Sequence, residues 1–79
     1  MDRKMVRMDR NELAAQTAQR VADEIKARGV KVSWLCEQTG IPRVTLHRRL
    51  TGQTPFNLSE LDRIATALHV STTELLVAA

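Results

Sequence analysis

The chain has 79 residues, 43% hydrophobic and 27% charged, with a formal charge of +3; this size excludes more than one small domain, and this composition excludes a disordered or fibrous polymer. Its single cysteine excludes an internal disulfide, and Cys36, His47 and His69 lack the paired spacing of a structural zinc site, so no metal or other cofactor is expected. No apolar run approaches the roughly 20 residues of a membrane helix, and no apolar stretch follows the basic start "MDRKMVRMDR", so neither membrane insertion nor a secretory signal is expected.

Residues 1–8 read as a basic N-terminal arm ahead of a single domain at 9–79. Arg3, Lys4 and Arg7 in that arm are either a frayed tail or a track for a polyanion. Asp9 and Glu12 have capping-box spacing, and Leu13, Ala14, Thr17, Ala18, Val21 and Ile25 then recur at helical intervals up to Gly29. A first helix is predicted from about Arg10 to Arg28. A second, two turns long, carries "VSWLCEQ" and ends at Gly40, which suits a left-handed terminal position. Pro42 fits the first turn of a third helix running to about Thr51, because it has no N–H to leave unsatisfied. "TGQT" and Pro55 break the chain. Asn57 with Glu60 repeats the capping spacing ahead of the stripe Leu58, Leu61, Ile64, Ala65 and Leu68, and Ser71 with Glu74 opens a short fifth helix. Nothing reads as a strand, so the expected fold is all-α with five helices.

The charge is unevenly spread. From Asn11 to Glu37 the signs balance, whereas Gln38 to Ser59 contains no acid at all. The acid-free stretch includes "GIPRVTLHRRLTG", where at about 100° per residue Leu46 and Leu50 define a buried side of the third helix. Val44, His47, Arg48 and Thr51 fall on the opposite side, Arg43 lies at the helix start, and Arg49 flanks the core. A single exposed arginine is ordinarily just solvated. A valine centred on a basic face is better explained by a partner that covers it.

Two short helices joined by a glycine turn have the outline of a helix-turn-helix at about 32–51, with Cys36 as the small residue where the helices cross and Ile41 and Leu46 filling the space between. The pattern "LCEQTGIPRVTLHRRLTG" resembles the phage repressor and Cro-type helix-turn-helix family, and "LSELDRIATALHVSTTELL" resembles that family's fourth and fifth helices. The resemblance spans about Gly29 to Leu76 and implies a compact five-helix domain of the lambda-repressor-like type. Three positions depart from the pattern: Cys36 stands for the usual alanine, His69 for the glycine that commonly ends the fourth helix, and Val32 for a phosphate-contacting glutamine.

The resemblance implies a sequence-specific regulator, a phage or prophage repressor or Cro-like protein in the cytoplasm of a bacterial cell or infected host. Its partner would be double-stranded DNA at a pseudo-palindromic operator, bound as a homodimer, with no small-molecule ligand. Arg43, Val44 and Arg48 would take the base-reading positions, and His47, beside them on the same face, is a further base-reading candidate with a phosphate as the alternative partner. Arginine can grip guanine O6 and N7 in a bidentate contact, and valine suits a thymine methyl. Lys31, Ser33, Arg49, Thr51, Gln53, Thr54 and Asn57 are expected at the DNA backbone, with the N–H groups near 53, 54 and 57 among the donors; Arg49 has Glu37 as an alternative partner. The arm residues Arg3, Lys4 and Arg7 would follow the same backbone. Leu75, Leu76 and Val77 in "ELLVAA" are the candidate dimer surface, with core packing competing for Leu75.

Trp34 is expected to cover the first helix, Phe56 to plug the core beneath the loop, Cys36 to be a small buried thiol and His69 a surface cap. A recombination-directionality factor or a DNA-binding antitoxin would need the same recognition helix, and a protein-interaction module would need no DNA. An enzyme is not expected, because no paired carboxylates, nucleophile with base, or metal cluster is present.

Overall fold

The fold was taken from a computed structural model that describes residues 10–76. Arg3, Lys4, Arg7 and the Asp9 cap at one end, and Val77 at the other, lie outside the described residues. Five helices follow in order, α1 (Arg10–Arg28), α2 (Val32–Thr39), α3 (Arg43–Leu50), α4 (Leu58–Leu68) and α5 (Thr72–Leu75), with no strand among the described residues. Pro42 stands one place earlier than expected. Its ψ of 147° is extended and its carbonyl accepts the N–H of Leu46 at 2.9 Å, which makes it the cap of α3 and not a member of its first turn.

Val21 and Ile25 of α1, Leu35 of α2, Ile41 in the turn, Leu46 of α3, Leu61, Ile64, Ala65 and Leu68 of α4, and Leu75 of α5 form one buried cluster. Ile41 and Leu46 are buried as the helix-turn-helix outline expects, whereas Cys36, expected to be a buried thiol, is only half-buried against the cluster. Phe56 is also half-buried against it, as a plug from the loop. Leu13 departs from the stripe; at the start of α1 it remains 47% exposed.

Trp34 is a second departure. Helix α2 packs on α3 and α4, so the indole does not cover α1 but borders a groove with Asp62, Arg63, Thr66 and His69.

The turn between α2 and α3 is fastened from three sides. Gly40 adopts φ 76°, which lets its N–H reach the Cys36 carbonyl at 2.9 Å. The Thr39 hydroxyl donates to the Leu35 carbonyl at 2.7 Å and accepts the Ile41 N–H at 3.2 Å. Arg63 of α4 donates to the Thr39 carbonyl at 3.0 Å, so a cation meets the negative end of α2. The far end of α4 closes on His69, which holds a left-handed φ of 60° and, as expected, is exposed.

The candidate nucleic-acid interface

Helix α3 is amphipathic in the expected sense. Leu46 is fully buried and Leu50 half-buried, whereas Arg43, Val44, His47 and Arg48 are all exposed. Val44 is 61% exposed, an aliphatic side chain among three basic ones. The face is rigidly backed, because Leu46 sits in the core shared by α1, α2 and α4.

Helices α2 and α3 begin without a side-chain cap, at Lys31 and Pro42 respectively, whereas α4 and α5 each carry a complete capping box. The first-turn N–H groups of α2 and α3 are therefore left to outside acceptors. Lys31 and Ser33 are exposed beside the first of these ends.

The loop after α3 corrects several expected backbone contacts. The N–H groups of Gln53 and Thr54 both donate to the Arg48 carbonyl, at 3.0 and 3.3 Å, so they close the helix end and are not offered to phosphate. The Thr51 hydroxyl is turned onto the His47 and Arg48 carbonyls at 3.0 and 3.3 Å. At Asn57 the N–H donates to Glu60 Oε1 at 3.0 Å, and the side-chain oxygen accepts the Glu60 N–H at 2.7 Å. The remaining donors of the first turn of α4 are Leu58 and Ser59. The side chains of Gln53 and Thr54 are exposed.

Arg49 needs the largest correction. Its partner in the fold is Glu60, not Glu37. Arg49 Nε donates to Glu60 Oε1 at 2.8 Å and its Nη2 to Glu60 Oε2 at 3.1 Å, a bidentate pair across the loop. Only 17% of the Arg49 side chain and 6% of the Glu60 side chain remain exposed. Glu60 is the residue whose role the sequence hides. Its capping-box spacing accounts for it fully, and nothing in the pattern signals a second partner eleven residues upstream.

The guanidinium hydrogen bonds hold the Glu60 carboxyl below the usual carboxylate range; burial pushes the other way, and the Asn57 N–H and the charge of Arg49 add to the lowering. A carboxyl depressed in the folded state contributes stability that is present above its unfolded value and is lost as pH falls through the folded value. The difference in Tm between the wild type and Glu60→Gln is therefore expected to be constant near neutrality and to shrink below about pH 4. Thermal melts across that range check this.

Among the described residues no group of three or more His, Cys, Asp or Glu could hold a metal ion, and no helix is long and apolar enough to cross a membrane. The arrangement is instead a buried helix-turn-helix scaffold that presents one basic, partly apolar helix face. Residues 20–78 match the family model for the Cro/C1-type HTH DNA-binding domain.

The chain belongs to the Cro/C1-type helix-turn-helix DNA-binding domain family.

As a member it is a DNA-binding transcriptional regulator, and the family implies a binding role and not a catalytic one. The match begins inside α1, earlier than the segment that carries the resemblance in the sequence. The restriction-modification controller protein C.AhdI from Aeromonas hydrophila is similar in structure, with a TM-score of 0.75 and 25% identity over 80% of this chain and 96% of that one. A hypothetical transcription factor, NHTF from Neisseria, shares the fold with a TM-score of 0.76 and 23% identity over 94% of this chain and 85% of that one. No curated protein matches the chain.

Proposed function

We propose that this Cro/C1-type domain is a sequence-specific operator-binding repressor of the phage or Cro kind, which reads the major groove with Arg43, Val44, His47 and Arg48 of α3. The observation that carries the reading is Val44, 61% exposed between cationic side chains on a helix whose other face is locked in the core. A solvated basic face has no use for that valine, whereas a thymine methyl does. Lys31, Ser33 and the side chains of Gln53 and Thr54 are exposed, and in this reading they hold the face in register through phosphate.

Two copies are needed on an inverted repeat, because one helix reads too few base pairs to hold a site alone. The dimer surface in this proposal shifts from the expected one. Leu75 is fully buried, so it packs the core. Leu76 remains exposed, and together with Leu13 and Leu58, which is 67% exposed, it lines a groove floored by Phe56 and Leu61. This apolar flank, which includes Leu76, takes the place of Leu75 as the candidate contact between copies, and Val77 lies outside the described residues.

Selection of bound sites from random duplex DNA tests the proposal. The expected product is an inverted repeat with half-sites about 34 Å, one helical turn, apart. Recovery of random sequence would refute sequence-specific regulation. A second reading, control of a restriction-modification operon, is favoured by the 25% identity to C.AhdI across nearly all of that protein. It uses the same α3 face. It predicts that the selected site occurs next to modification-enzyme genes.

A further inference from the structure

Three arginines lie on the recognition helix, yet only two face outward. Arg49 follows Arg48 directly in the same basic last turn, but about 100° further round α3, where it is half-buried at the edge of the core. A single carboxylate holds it there. Glu60 Oε1 accepts both Arg49 Nε at 2.8 Å and the Asn57 N–H at 3.0 Å, while Oε2 accepts Arg49 Nη2 at 3.1 Å. Glu60 is the first acid after a stretch of 22 residues, 38–59, that has none. It is also buried, at 5% exposure, so its charge is not itself presented to a ligand. Arg49 keeps 17% of its side chain in contact with solvent, at the rim and not in the core. A long side chain placed there reaches outward as soon as its counterion is removed.

We propose that Glu60 is a specificity-determining residue of the DNA interface, an internal counterion that withholds Arg49 from the phosphate backbone. The inference rests on the proposed reading of DNA by α3. Phosphate contacts are open to every sequence, whereas base contacts favour one and fix the helix in a single register. An additional arginine free to meet phosphate would tighten binding to random DNA more than it tightens the operator complex, where the helix is already held by base contacts. The Glu60 carboxylate removes that contribution without removing the side chain. Its bidentate geometry suits a guanidinium, and its position as the third residue of α4 lets the same oxygen serve the capping box. The charge is cancelled inside the fold, and Arg43 and Arg48 remain the arginines offered by α3.

The test compares salt titrations of wild type, Glu60→Gln and the double variant Arg49→Met/Glu60→Gln, each on the selected duplex and on a scrambled duplex, with thermal melts to confirm folding. Glu60→Gln retains an oxygen for the Asn57 cap but removes the negative charge and the second acceptor oxygen that hold Arg49. Its affinity for the scrambled duplex is expected to rise roughly 3- to 10-fold at about 0.1 M salt, with a salt slope steeper by about one, so the ratio of specific to non-specific affinity falls. The double variant is expected to return to the wild-type slope, because Arg49 makes no phosphate contact in the wild type.

An unchanged slope in a folded Glu60→Gln protein would overturn the proposal, as would an equal loss of affinity for both duplexes, which marks a purely structural residue. The double variant decides alone if Glu60→Gln does not fold: a slope shallower than wild type by about one means that Arg49 already contacts phosphate. Absence of any salt-dependent binding by the wild type would instead refute the DNA reading itself. The two failures are thus distinguishable.

Discussion

Arg48→Ala is expected to lower affinity for the selected duplex by about 5- to 150-fold, corresponding to loss of a bidentate contact worth about 1 to 3 kcal/mol. Repeating the selection with this variant should relax preference at one base pair per half-site and leave the others intact. The effect is expected to be large because the side chain is presented by a helix that cannot turn away. Leu46 of the same helix is fully buried, and the last turn is closed by the N–H groups of Thr51, Gly52, Gln53 and Thr54. Folding should be unaffected, since Arg48 is exposed and makes no side-chain bond among those described. A smaller companion effect is expected at Val44→Ala. It should lose discrimination of thymine from uracil at its base pair, a difference of one methyl group. If Arg48→Ala and Arg43→Ala both return the wild-type site, the assignment of the groove face to this side of α3 fails.

The second large effect is on stability. Leu75→Ala should destabilise the domain by about 2 to 5 kcal/mol, the usual range for a buried leucine. A domain this small holds roughly 0.05 to 0.15 kcal/mol per residue, so the substitution consumes a large part of the total. A fall in Tm of roughly 8 to 40 °C is expected. Leu75 is 0% exposed at the end of a four-residue helix, which has no stability of its own. That helix is held by its packed leucine, by the Ser71–Glu74 capping box, and by Arg20 Nε of α1 donating to the Glu74 carbonyl at 2.9 Å. Leu76→Asp provides the contrast. It should lower the Tm of dilute protein by much less than Leu75→Ala, since Leu76 is 37% exposed, and weaken the loading of two copies on an inverted repeat. Were Leu75→Ala instead to keep its Tm and lose only the second copy, Leu75 would belong to the interface and the core assignment would be wrong.

The long helices were legible because two independent signals agreed at each. In α1 the apolar spacing ended at a glycine that holds φ 66°, and in α4 the Asn57–Glu60 box preceded a stripe of period 3.6. The two faces of α3 were legible for the same reason, since Leu46 and Leu50 fix the inner side and the rest follows. Trp34 was not legible. Helix α2 is only eight residues long and carries apolar side chains on more than one side, so periodicity says that the indole packs without naming the neighbour. Leu75 and Leu76 are adjacent in a helix of one turn, where no period exists to separate core from surface.

The backbone donors of Gln53 and Thr54 were lost to a different cause. A side-chain pattern does not reveal where main-chain N–H groups go, and here the Arg48 carbonyl takes both. The Arg49–Glu60 pair combines these difficulties. It spans a loop, and one partner already had a sufficient local explanation. It ties one of the three arginines of α3 to Glu60 and leaves Arg43 and Arg48 exposed.

The most direct test of sequence-specific reading by α3 is the affinity of the intact chain for its selected duplex and for a scrambled duplex of the same composition, measured over a range of salt. A preference of about a thousandfold or more is expected at physiological salt, with affinity for both duplexes falling as salt rises. Equal affinity for the two duplexes at every salt concentration would contradict it.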